Sequence, residues 1–479
     1  MGFNDNDVWM IGCSNSSFAL KHPRSRKPMR SSLVSFGQQL KKTSPTSSNL
    51  HLSYMGENHI NFYAGAPPLN RLSFQRHSSS LLSQHLQNPL TKFLPFHGLQ
   101  PLITQSTQSI TFLSWQDVRP ILGDGPFYKD DSAGTIKHLQ GAQILPSGRK
   151  APKLIFLGTD EKNQSEHSKT LMTKEMDPTL NKENPPIFAL DVTGLEQELG
   201  EDGPSLMDRI FLKQGERKWV DSRAAAVHFA PWEAGVFALA RSMVDWNSRN
   251  KFCAGCGNEV YSTWGGWKLS CSTALEATPE NSSACPSLKS LTNHCYPRTD
   301  CAVIMAIISL DGDKILLGRQ KAWPKGMYSC LAGFLEPGES FEEAVRREVY
   351  EESGVVVNEV MYHSSQPWPY PANLMVGCFG WADENQTIRL DLDNELEDAR
   401  WFSRQELLTI LADPNGTVIN RTEQSYFDAE KKHQLPTASS SIPFRLPPAT
   451  AIAGVLTSAW AKKKVIGFGK EVDGGASKI

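Results

Sequence analysis

The chain has 479 residues, of which 39% are hydrophobic and 21% charged, and its formal net charge is −2. This length accommodates two or three domains of ~100–200 residues each, and the composition is ordinary for a globular protein. The small net charge argues against attraction of the whole molecule to nucleic acid. Uncharged apolar runs such as residues 302–309 are far shorter than the ~20 residues of a membrane-spanning helix, so a soluble protein without membrane association is expected.

Residues 1–56 are rich in Ser and Asn and carry more Lys and Arg than acidic residues. This composition predicts a disordered basic tail, because it offers little apolar surface to bury. A cleavable organelle-targeting peptide is the alternative. Such peptides are poor in acids, whereas Asp5 and Asp7 stand near the start.

Residues 57–248 have a globular pattern and are predicted to form an N-terminal domain. Lys153–Gly158 and Pro186–Asp191 are short apolar runs bounded by polar or turn residues, which predicts two buried strands. The polar stretch Thr159–Asn184 is predicted to be a loop. Residues 232–248 are predicted to form an amphipathic helix, because apolar residues recur at spacings of three and four: Val236, Leu239, Ala240 and Met243.

Residues 249–296 are predicted to form a zinc ribbon. Cys253 and Cys256 make a C-x-x-C pair, and Cys271 and Cys285 could complete four thiolate ligands. Cys295 competes with Cys285 for the fourth position. The chain has nine cysteines, an odd number, and no secretory signal, which favours a metal site in a reducing compartment over disulfides. Four protein ligands leave no open position, so this zinc would be structural; free core thiols are the alternative.

The C-terminal region, residues 297–464, begins with two apolar runs at 302–309 and 313–318 that are joined through Asp311-Gly312, which predicts a β-hairpin. Further along, Ala399–Phe402 is strand-like, and the polar stretch Asn415–Ser441 is predicted to be a surface insertion. Residues 449–463 are predicted to form a closing helix with an apolar stripe of Ile452, Val455, Leu456 and Trp460.

A glutamate-rich helix is predicted over residues 340–353. Ser340 and Glu343 have the spacing of a capping box, and Gly354 follows the last helical residue. Val345 and Val349 lie four residues apart and are expected to face the core.

Three acids of this helix, Glu348, Glu351 and Glu352, project from one face because they lie at i, i+3 and i+4. A helix tolerates this repulsion when a cation lies among them, and Mg²⁺ and Mn²⁺ prefer oxygen ligands. Arg347 can pair with Glu351 one turn away, and Gly333 permits a close backbone approach. A solvated helix rich in Glu and Arg is the alternative.

The segment Gly333–Val355 resembles the Nudix box at nine defining positions over 23 residues: Gly333, Glu339, Arg347, Glu348, Val349, Glu351, Glu352, Gly354 and Val355. The resemblance implies an α+β chain with a Nudix α/β/α sandwich. It also implies that Glu348 and Glu352 bind catalytic Mg²⁺ or Mn²⁺, together with the backbone carbonyl of Ala332. Glu351 would be a ligand or the base that activates water, and Arg347 would complete the catalytic set.

Residues 365–371 read SQPWPYP, in which prolines would hold Trp368 and Tyr370 with their rings available for stacking on a base or nicotinamide. A Pro-rich turn with buried aromatics is the alternative. The segment resembles the SQPWPFPxS motif of the NADH pyrophosphatase (NudC-type) branch, which has an N-terminal α+β domain, a zinc ribbon and a Nudix domain in that order. Residues 61–76 look like the start of fungal members. Tyr370 replaces the usual Phe, and Asn373 replaces the final Ser, which leaves the role of that position open.

The resemblance implies a dinucleotide site lined by Ser365, Gln366, Pro367, Trp368, Pro369, Tyr370, Pro371 and Ala372. Tyr296 would contact substrate, as would Ala332 and, in the last helix, Ala453. Glu395 would be a further metal ligand. On spacing alone it could equally be one more surface acid among Asp391, Asp393, Glu397 and Asp398.

The implied reaction is hydrolysis of NADH or NAD⁺ to NMNH or NMN plus AMP, with NAD-capped RNA 5′ ends as a second substrate. A Nudix enzyme for another diphosphate such as ADP-ribose is the alternative, and a non-enzymatic zinc-ribbon module that binds nucleic acid or protein is a third reading. The tail 465–479 ends Ser477-Lys478-Ile479, which is similar to the S-K-L peroxisomal signal. Peroxisomal location through the import receptor is therefore expected, with cytoplasm and mitochondrion as alternatives, and the resemblance implies a homodimer.

Overall fold

The computed structural model describes residues 61–64, 69–124, 152–161, 184–274, 285–289, 295–324, 326–417 and 442–463. No helix in these ranges is both long enough and apolar enough to cross a bilayer. The predicted tails 1–56 and 465–479 lie outside the described residues, as does residue range 418–441 of the predicted surface insertion. The predicted domain boundaries stay predictions.

The N-terminal part is built on a six-stranded sheet with the order β1-β4-β5-β2-β3-β6. Its strands are β1 (Leu69–Asn70), β2 (Lys92–His97), β3 (Gln100–Thr104), β4 (Lys153–Asp160), β5 (Pro186–Asp191) and β6 (Arg217–Trp219). All neighbouring strands are antiparallel except β2 and β5, which are parallel. Its helices are α1 (Ser79–Gln87), α2 (Trp115–Leu122), α3 (Leu195–Glu198), α4 (Gly203–Met207), α5 (Ser222–Ala226) and α6 (Pro231–Arg249), and a 3₁₀ turn, Phe62–Ala64, precedes them.

The two strands predicted for this part are confirmed. The expected loop start at Thr159 is wrong, because Thr159 and Asp160 continue β4 by pairing with Asn70 and Leu69 of β1. Residues 162–183 of the predicted loop lie outside the described residues.

The predicted amphipathic helix is α6, which begins with Pro231 in its first turn, where a missing N–H removes no hydrogen bond. Val236, Ala240 and Met243 are buried in one cluster with residues of the sheet, and Leu239 packs against that cluster. The predicted helix is therefore confirmed.

A small hairpin follows, formed by β7 (Val260–Thr263) and β8 (Lys268–Cys271) around the 3₁₀ turn Trp264–Gly266. The short helix α7 (Pro286–Lys289) lies beside β8 in the fold. Cys271 ends this hairpin, Cys253 and Cys256 precede it, and Cys285 stands just before α7.

The C-terminal part contains a second six-stranded sheet, ordered β12-β13-β9-β10-β14 with β11 paired to β9. Its strands are β9 (Asp300–Ser309), β10 (Lys314–Gln320), β11 (Leu331–Phe334), β12 (Glu359–Trp368), β13 (Asn373–Ala382) and β14 (Leu396–Ser403). Only β13 and β9 are parallel. The helices are α8 (Phe341–Ser353), α9 (Arg404–Ala412) and α10 (Ile452–Ala461).

Strand β9 lies at the centre of this sheet, and its alternate residues face two different helix layers, as the period of two in a strand requires. Val303, Met305 and Ile307 pack in the cluster that includes α8. Ile304, Ala306 and Ile308 pack in the cluster that includes α9 and α10. The predicted α/β/α sandwich and the α+β class are therefore confirmed.

The local predictions for this part are also confirmed. β9 and β10 pair as an antiparallel hairpin, and Gly312 has a φ of +85° at the predicted turn. The strand-like Ala399–Phe402 lies within β14. The closing helix is α10, in which Ile452, Leu456 and Trp460 are almost fully buried.

Candidate active site

Helix α8 has the ends that its sequence predicts. The Ser340 hydroxyl accepts a hydrogen bond from the Glu343 N–H at 3.3 Å, and the Glu343 carboxylate accepts one from the Ser340 N–H at 2.8 Å. Gly354 ends the helix at a φ of +69°, a left-handed conformation that favours glycine. These contacts set where α8 begins and ends.

Gly333 is at the third position of β11, and the Glu348 carboxylate fills the space that a side chain at this position would need. A Cβ at Gly333 would lie 1.9 Å from Cδ of Glu348 and 2.0 Å from its Oε2. The close approach predicted at Gly333 is thus an approach of a carboxylate to the strand.

Arg347 makes five hydrogen bonds, as many as it has N–H donors, four to the acids around it and one to a backbone carbonyl. Its Nε and Nη2 donate to the two oxygens of Glu339 at 2.6 and 2.8 Å, and Nη2 also donates to the Phe334 carbonyl at 2.8 Å. Its Nη1 donates to Glu348 at 2.8 Å and to Glu351 at 3.0 Å. The hydrogen bonds from Arg347 hold the pKa of Glu339 at about 2. The sequence predicted the pair with Glu351 but not the pair with Glu339.

Glu352 is only 2% exposed, although it is ionisable. One hydrogen bond to its carboxylate comes from the Ala332 N–H, and its Oε2 has no partner among the described residues. Burial, followed by the charges of Glu395 and Glu348, raises the pKa of Glu352 to about 9. Burial likewise raises the pKa of Glu348.

Glu395 differs from the acids around it in the partner that its carboxylate contacts. Asp391 pairs with Arg389 at 3.1 Å, Glu397 pairs with Arg319, and Asp398 accepts a hydrogen bond from Tyr328. Glu395 instead accepts a hydrogen bond from Gln320 at 2.6 Å and interacts electrostatically with Glu348 and Glu352. Asp393, which was not singled out in the sequence, raises the pKa of both Glu352 and Glu395.

These carboxylates fit a divalent cation. Glu348, Glu352 and Glu395 have raised pKa values because burial and mutual repulsion disfavour their charged forms. A hard cation would relieve that repulsion, and the free oxygen of Glu352 is a suitable ligand for it.

The segment Ser365–Ala372, called here the aromatic segment, runs from the end of β12 to the start of β13. Two guanidinium groups lie close to the ring of Tyr370, that of Arg223 at 4.4 Å and that of Arg241 at 4.8 Å from its centroid. Its hydroxyl lies 3.2 Å from that of Tyr63. Arg241 also donates to the Pro369 carbonyl. The N-terminal part of the chain therefore holds the aromatic segment in place.

Trp368 is half-buried and packs edge-on against Tyr63 with ring centroids 5.7 Å apart. Asn373, which stands at the motif position of Ser, donates to the Tyr370 carbonyl at 3.5 Å, and its own Oδ1 is buried without a partner among the described residues.

Gln366 joins the aromatic segment to the last helix. Its amide donates to the Thr450 carbonyl at 2.9 Å and accepts from the Ile452 N–H at 2.8 Å. Because Gln366 is fully buried, its amide is committed to these backbone groups. Ala453, one residue into the helix, is 4% exposed. The substrate roles of Gln366 and Ala453 stay predictions.

Sequence reasoning missed the residues that hold the aromatic segment from the N-terminal part. Asn61 donates to Ser364 Oγ at 3.1 Å and to the Ser365 carbonyl at 2.8 Å. The only available signal for Asn61 and Tyr63 was the resemblance of residues 61–76 to fungal members. Arg223 and Arg241 gave no signal, because single arginines on helices are common.

The cysteine cluster brings together Cys253, Cys256, Cys271 and Cys285, whose sulfurs all lie within 4.8 Å of one another. Two of the pairs are 3.6 and 3.4 Å apart, close to the ~3.8 Å between ligands of a tetrahedral zinc with Zn–S bonds of ~2.3 Å. Among the described residues Cys295 is not part of this group.

The pKa values of these thiols are also consistent with a bound cation. Burial raises the pKa of Cys271 to about 12, whereas the Asn258 backbone N–H lowers the pKa of Cys256 to about 6. Four adjacent thiolates are stable only around a compensating charge. Tyr296, just beyond the cluster, lies 5.9 Å from the ring of Trp264, and its substrate role stays a prediction.

Two family models match the chain. The NUDIX domain matches residues 300–421, and the NADH pyrophosphatase-like rudimentary NUDIX domain matches residues 90–246.

Several known proteins are similar over most of the chain. A NAD-capped RNA hydrolase of Schizosaccharomyces pombe is 42% identical over 355 residues, which cover 73% of this chain and 85% of the relative. The NAD-capped RNA hydrolase NPY1 of Saccharomyces cerevisiae is 30% identical, covering 73% and 86%. The human NAD-capped RNA hydrolase NUDT12 is 37% identical, covering 72% of this chain and 66% of the relative.

Proposed function

The chain belongs to the Nudix family, in the branch with an NADH pyrophosphatase-like domain, and on this premise we propose that it hydrolyses the diphosphate bond of NADH and NAD⁺ and removes NAD caps from RNA. The products would be NMNH or NMN and AMP, or the 5′-monophosphate RNA. The observation that carries the proposal is the group of carboxylates on one face of α8, in a fold whose aromatic segment is held by both ends of the described chain. The names of the relatives support the choice of substrate.

The metal ligands would be Glu348, Glu352 and Glu395, with the Ala332 carbonyl. Mg²⁺ or Mn²⁺ bound there would neutralise the diphosphate oxygens and make a water molecule more acidic. Arg347 keeps Glu348 and Glu351 oriented through its fixed planar fork. Glu351, about half exposed at 47%, would accept the proton of the attacking water as the P–O bond to the leaving phosphate breaks.

The test is product analysis with four substrates at equal concentration: NADH, NAD⁺, ADP-ribose and NAD-capped RNA. We expect NMNH and AMP from NADH, with a higher kcat/KM for the dinucleotides than for ADP-ribose. Preference for ADP-ribose would refute the NADH reading.

We expect Glu352→Gln to lower kcat about 100-fold or more without lowering the melting temperature of the metal-free protein, because Gln resembles the protonated acid. Unchanged turnover in this variant would refute the role of Glu352 as a metal ligand, and no hydrolysis of any of the four substrates by the wild type would favour a non-enzymatic module.

The cofactors we propose are therefore catalytic Mg²⁺ or Mn²⁺ and one structural zinc on Cys253, Cys256, Cys271 and Cys285. The homodimer, peroxisomal location and import receptor stay predictions. Fluorescence imaging of the tagged chain with and without Ser477–Ile479 tests the location, and loss of peroxisomal signal on their removal is the expected result.

A further inference from the structure

A row of rings and cations lies where the N-terminal domain meets the β7–β8 hairpin. It begins at Trp267, whose indole N–H donates to the Phe156 carbonyl at 2.6 Å and so fixes the ring. The guanidinium of Arg76 lies 3.8 Å from the centre of this ring, and that of Arg71 lies 5.9 Å from it.

The row continues through Trp264, in the turn of the same hairpin. Lys268 lies 4.8 Å from the Trp264 ring and 5.9 Å from that of Tyr296. The Trp264 and Tyr296 rings are themselves 5.9 Å apart, and the His77 ring is 6.3 Å from Trp264. We define these residues as the cationic–aromatic surface: Arg71, Arg76, His77, Trp264, Trp267, Lys268 and Tyr296.

Within the described ranges, no carboxylate forms a salt bridge with the cations of this surface, Arg71, Arg76 and Lys268, and Lys268 interacts electrostatically with the Cys295 thiol. The Nε and Nη1 atoms of Arg76 are buried without a hydrogen-bond partner there. Burial, together with the charge of Arg71, lowers the pKa of Arg76 to about 10. Two neighbouring guanidinium groups, one of which has donors without a partner among the described residues, are suited to an anion.

The surface leads toward the aromatic segment. Tyr296 is four residues before Asp300, whose N–H donates to the Ala372 carbonyl at 3.2 Å. Four residues span at most ~14 Å. Tyr296 therefore lies within ~14 Å of backbone reach of the aromatic segment, and Trp264 and Lys268 lie beside Tyr296.

We propose that the cationic–aromatic surface binds the single-stranded RNA that follows the NAD cap. The inference rests on the proposed function, because it assigns a path to the RNA of that substrate. Phosphates would contact Arg71, Arg76 and Lys268, and bases would stack on the rings, a combination typical of proteins that bind single strands. Phe74, between the two arginines in sequence and 93% exposed, adds a further stacking group. The small net charge of the chain is no obstacle, since RNA binding needs only a local basic surface.

The experiment compares free NADH with a NAD-capped oligonucleotide for the full-length protein and the double variant Arg71→Gln/Arg76→Gln. We expect KM for the capped RNA to rise about ten-fold, and the slope of log KM against log salt to fall by about 1.4, for two lost phosphate contacts on a single strand. Kinetics with NADH should stay within about two-fold of wild type, because neither arginine lies in the dinucleotide site. The matched control is Arg209→Gln/Lys213→Gln, which removes two exposed cations elsewhere in the same domain.

An unchanged KM for capped RNA, or an equal loss on both substrates, overturns the inference while the proposed function stands. If wild type hydrolyses neither substrate, the proposed function fails. The surface is then judged by fluorescence anisotropy with a 5′-monophosphate oligonucleotide, where unchanged affinity in the double variant refutes it and weakened affinity supports it. If the double variant has a lowered melting temperature, the variant Phe74→Ala replaces it. We then expect KM to rise about five-fold for capped RNA and to stay unchanged for NADH. Inhibition by an acidic peptide as strong as by RNA of equal charge would also overturn the inference.

Discussion

Gly333 and Glu348 show how a single hydrogen atom in place of a side chain leaves room for a carboxylate that we propose to bind metal. Because a Cβ would lie 1.9 Å from Cδ of Glu348, we expect Gly333→Ala to displace that carboxylate. A displacement of about 1 Å lowers kcat by about 100-fold. Steady-state kinetics with NADH and a melting curve check this, with the fold expected to remain intact.

Gly338 is the control for this prediction, because it lies in the loop that follows β11 and an added Cβ meets nothing within 4 Å. Its φ of +92° means that Ala there is strained, at a cost of about 1 kcal/mol in the free energy of unfolding. We expect Gly338→Ala to lose stability but not turnover. Equal loss of activity in both variants would mean that the loop, and not the carboxylate, is sensitive.

His85 predicts a pH dependence of stability. Its ring is buried, stacks on Phe156 at 5.3 Å, and has no hydrogen-bond partner for either nitrogen among the described residues. Burial lowers its pKa from 6.5 to about 4. The unfolded chain therefore takes up a proton at a pH where the folded chain does not. Above pH ~6.5 the neutral His85 ring makes its full contribution to the free energy of unfolding. That contribution is lost as pH falls toward ~4, and at pH 5 the free energy of unfolding is lower by about 2 kcal/mol.

Urea unfolding at pH 7.5 and pH 5.0 measures this effect. We expect His85→Phe, which fills the same space without a titratable group, to show a smaller difference between the two pH values than wild type. An identical difference in the variant would assign the acid sensitivity to other groups.

At the scale of elements, the aromatic segment is held by a helix from another domain. Arg241 of α6 lies over Tyr370 and donates to the Pro369 carbonyl. We expect Arg241→Met to raise KM for NADH about ten-fold, because it removes a hydrogen bond from a charged donor and a cation–π contact, while kcat changes little. Steady-state kinetics separates the two constants.

Two further variants give this prediction its controls. Arg241→Lys can still donate to the carbonyl but cannot stack its plane on Tyr370, so an intermediate KM is expected. Arg209→Met changes an exposed arginine of the same domain and should leave KM unchanged. A fall in kcat with unchanged KM in Arg241→Met would place its effect on the chemical step and contradict a positioning role.

The elements that could be predicted from sequence are those whose signals are local. The caps of α8, the hairpin turn at Gly312 and the stripe of α6 each depend on residues within a few positions, and all were predicted correctly. The contact of Asn61 with Ser364 joins residues 303 positions apart, and no spacing rule reports such a pair. Glu395 could be proposed only from family resemblance, since the engagement of Glu397 and Asp398 elsewhere is a property of the folded sheet.

For the whole molecule, the cysteine cluster predicts that zinc stabilises the fold. We expect chelation to lower the melting temperature and Cys285→Ser to reduce the zinc content, because one of four thiolates is lost. Cys295→Ser should keep about one zinc per chain, since Cys295 is not part of the described cluster. Metal analysis of the purified variants decides between the two cysteines, and normal zinc in Cys285→Ser would contradict the assignment.

The buried amide of Gln366 has a consequence for the timing of biosynthesis. Its partner Ile452 is 86 residues later in the chain, and a ribosome adding about 5–20 residues per second needs roughly 4–17 s to reach it. During that interval the carboxylates of α8 have already been synthesised, but the segment expected to receive the dinucleotide lacks its last support. A nascent chain would therefore carry the hydrolytic groups before it can bind substrate well, so we expect activity toward NAD⁺ to begin only after Ile452 has been synthesised and has folded against Gln366.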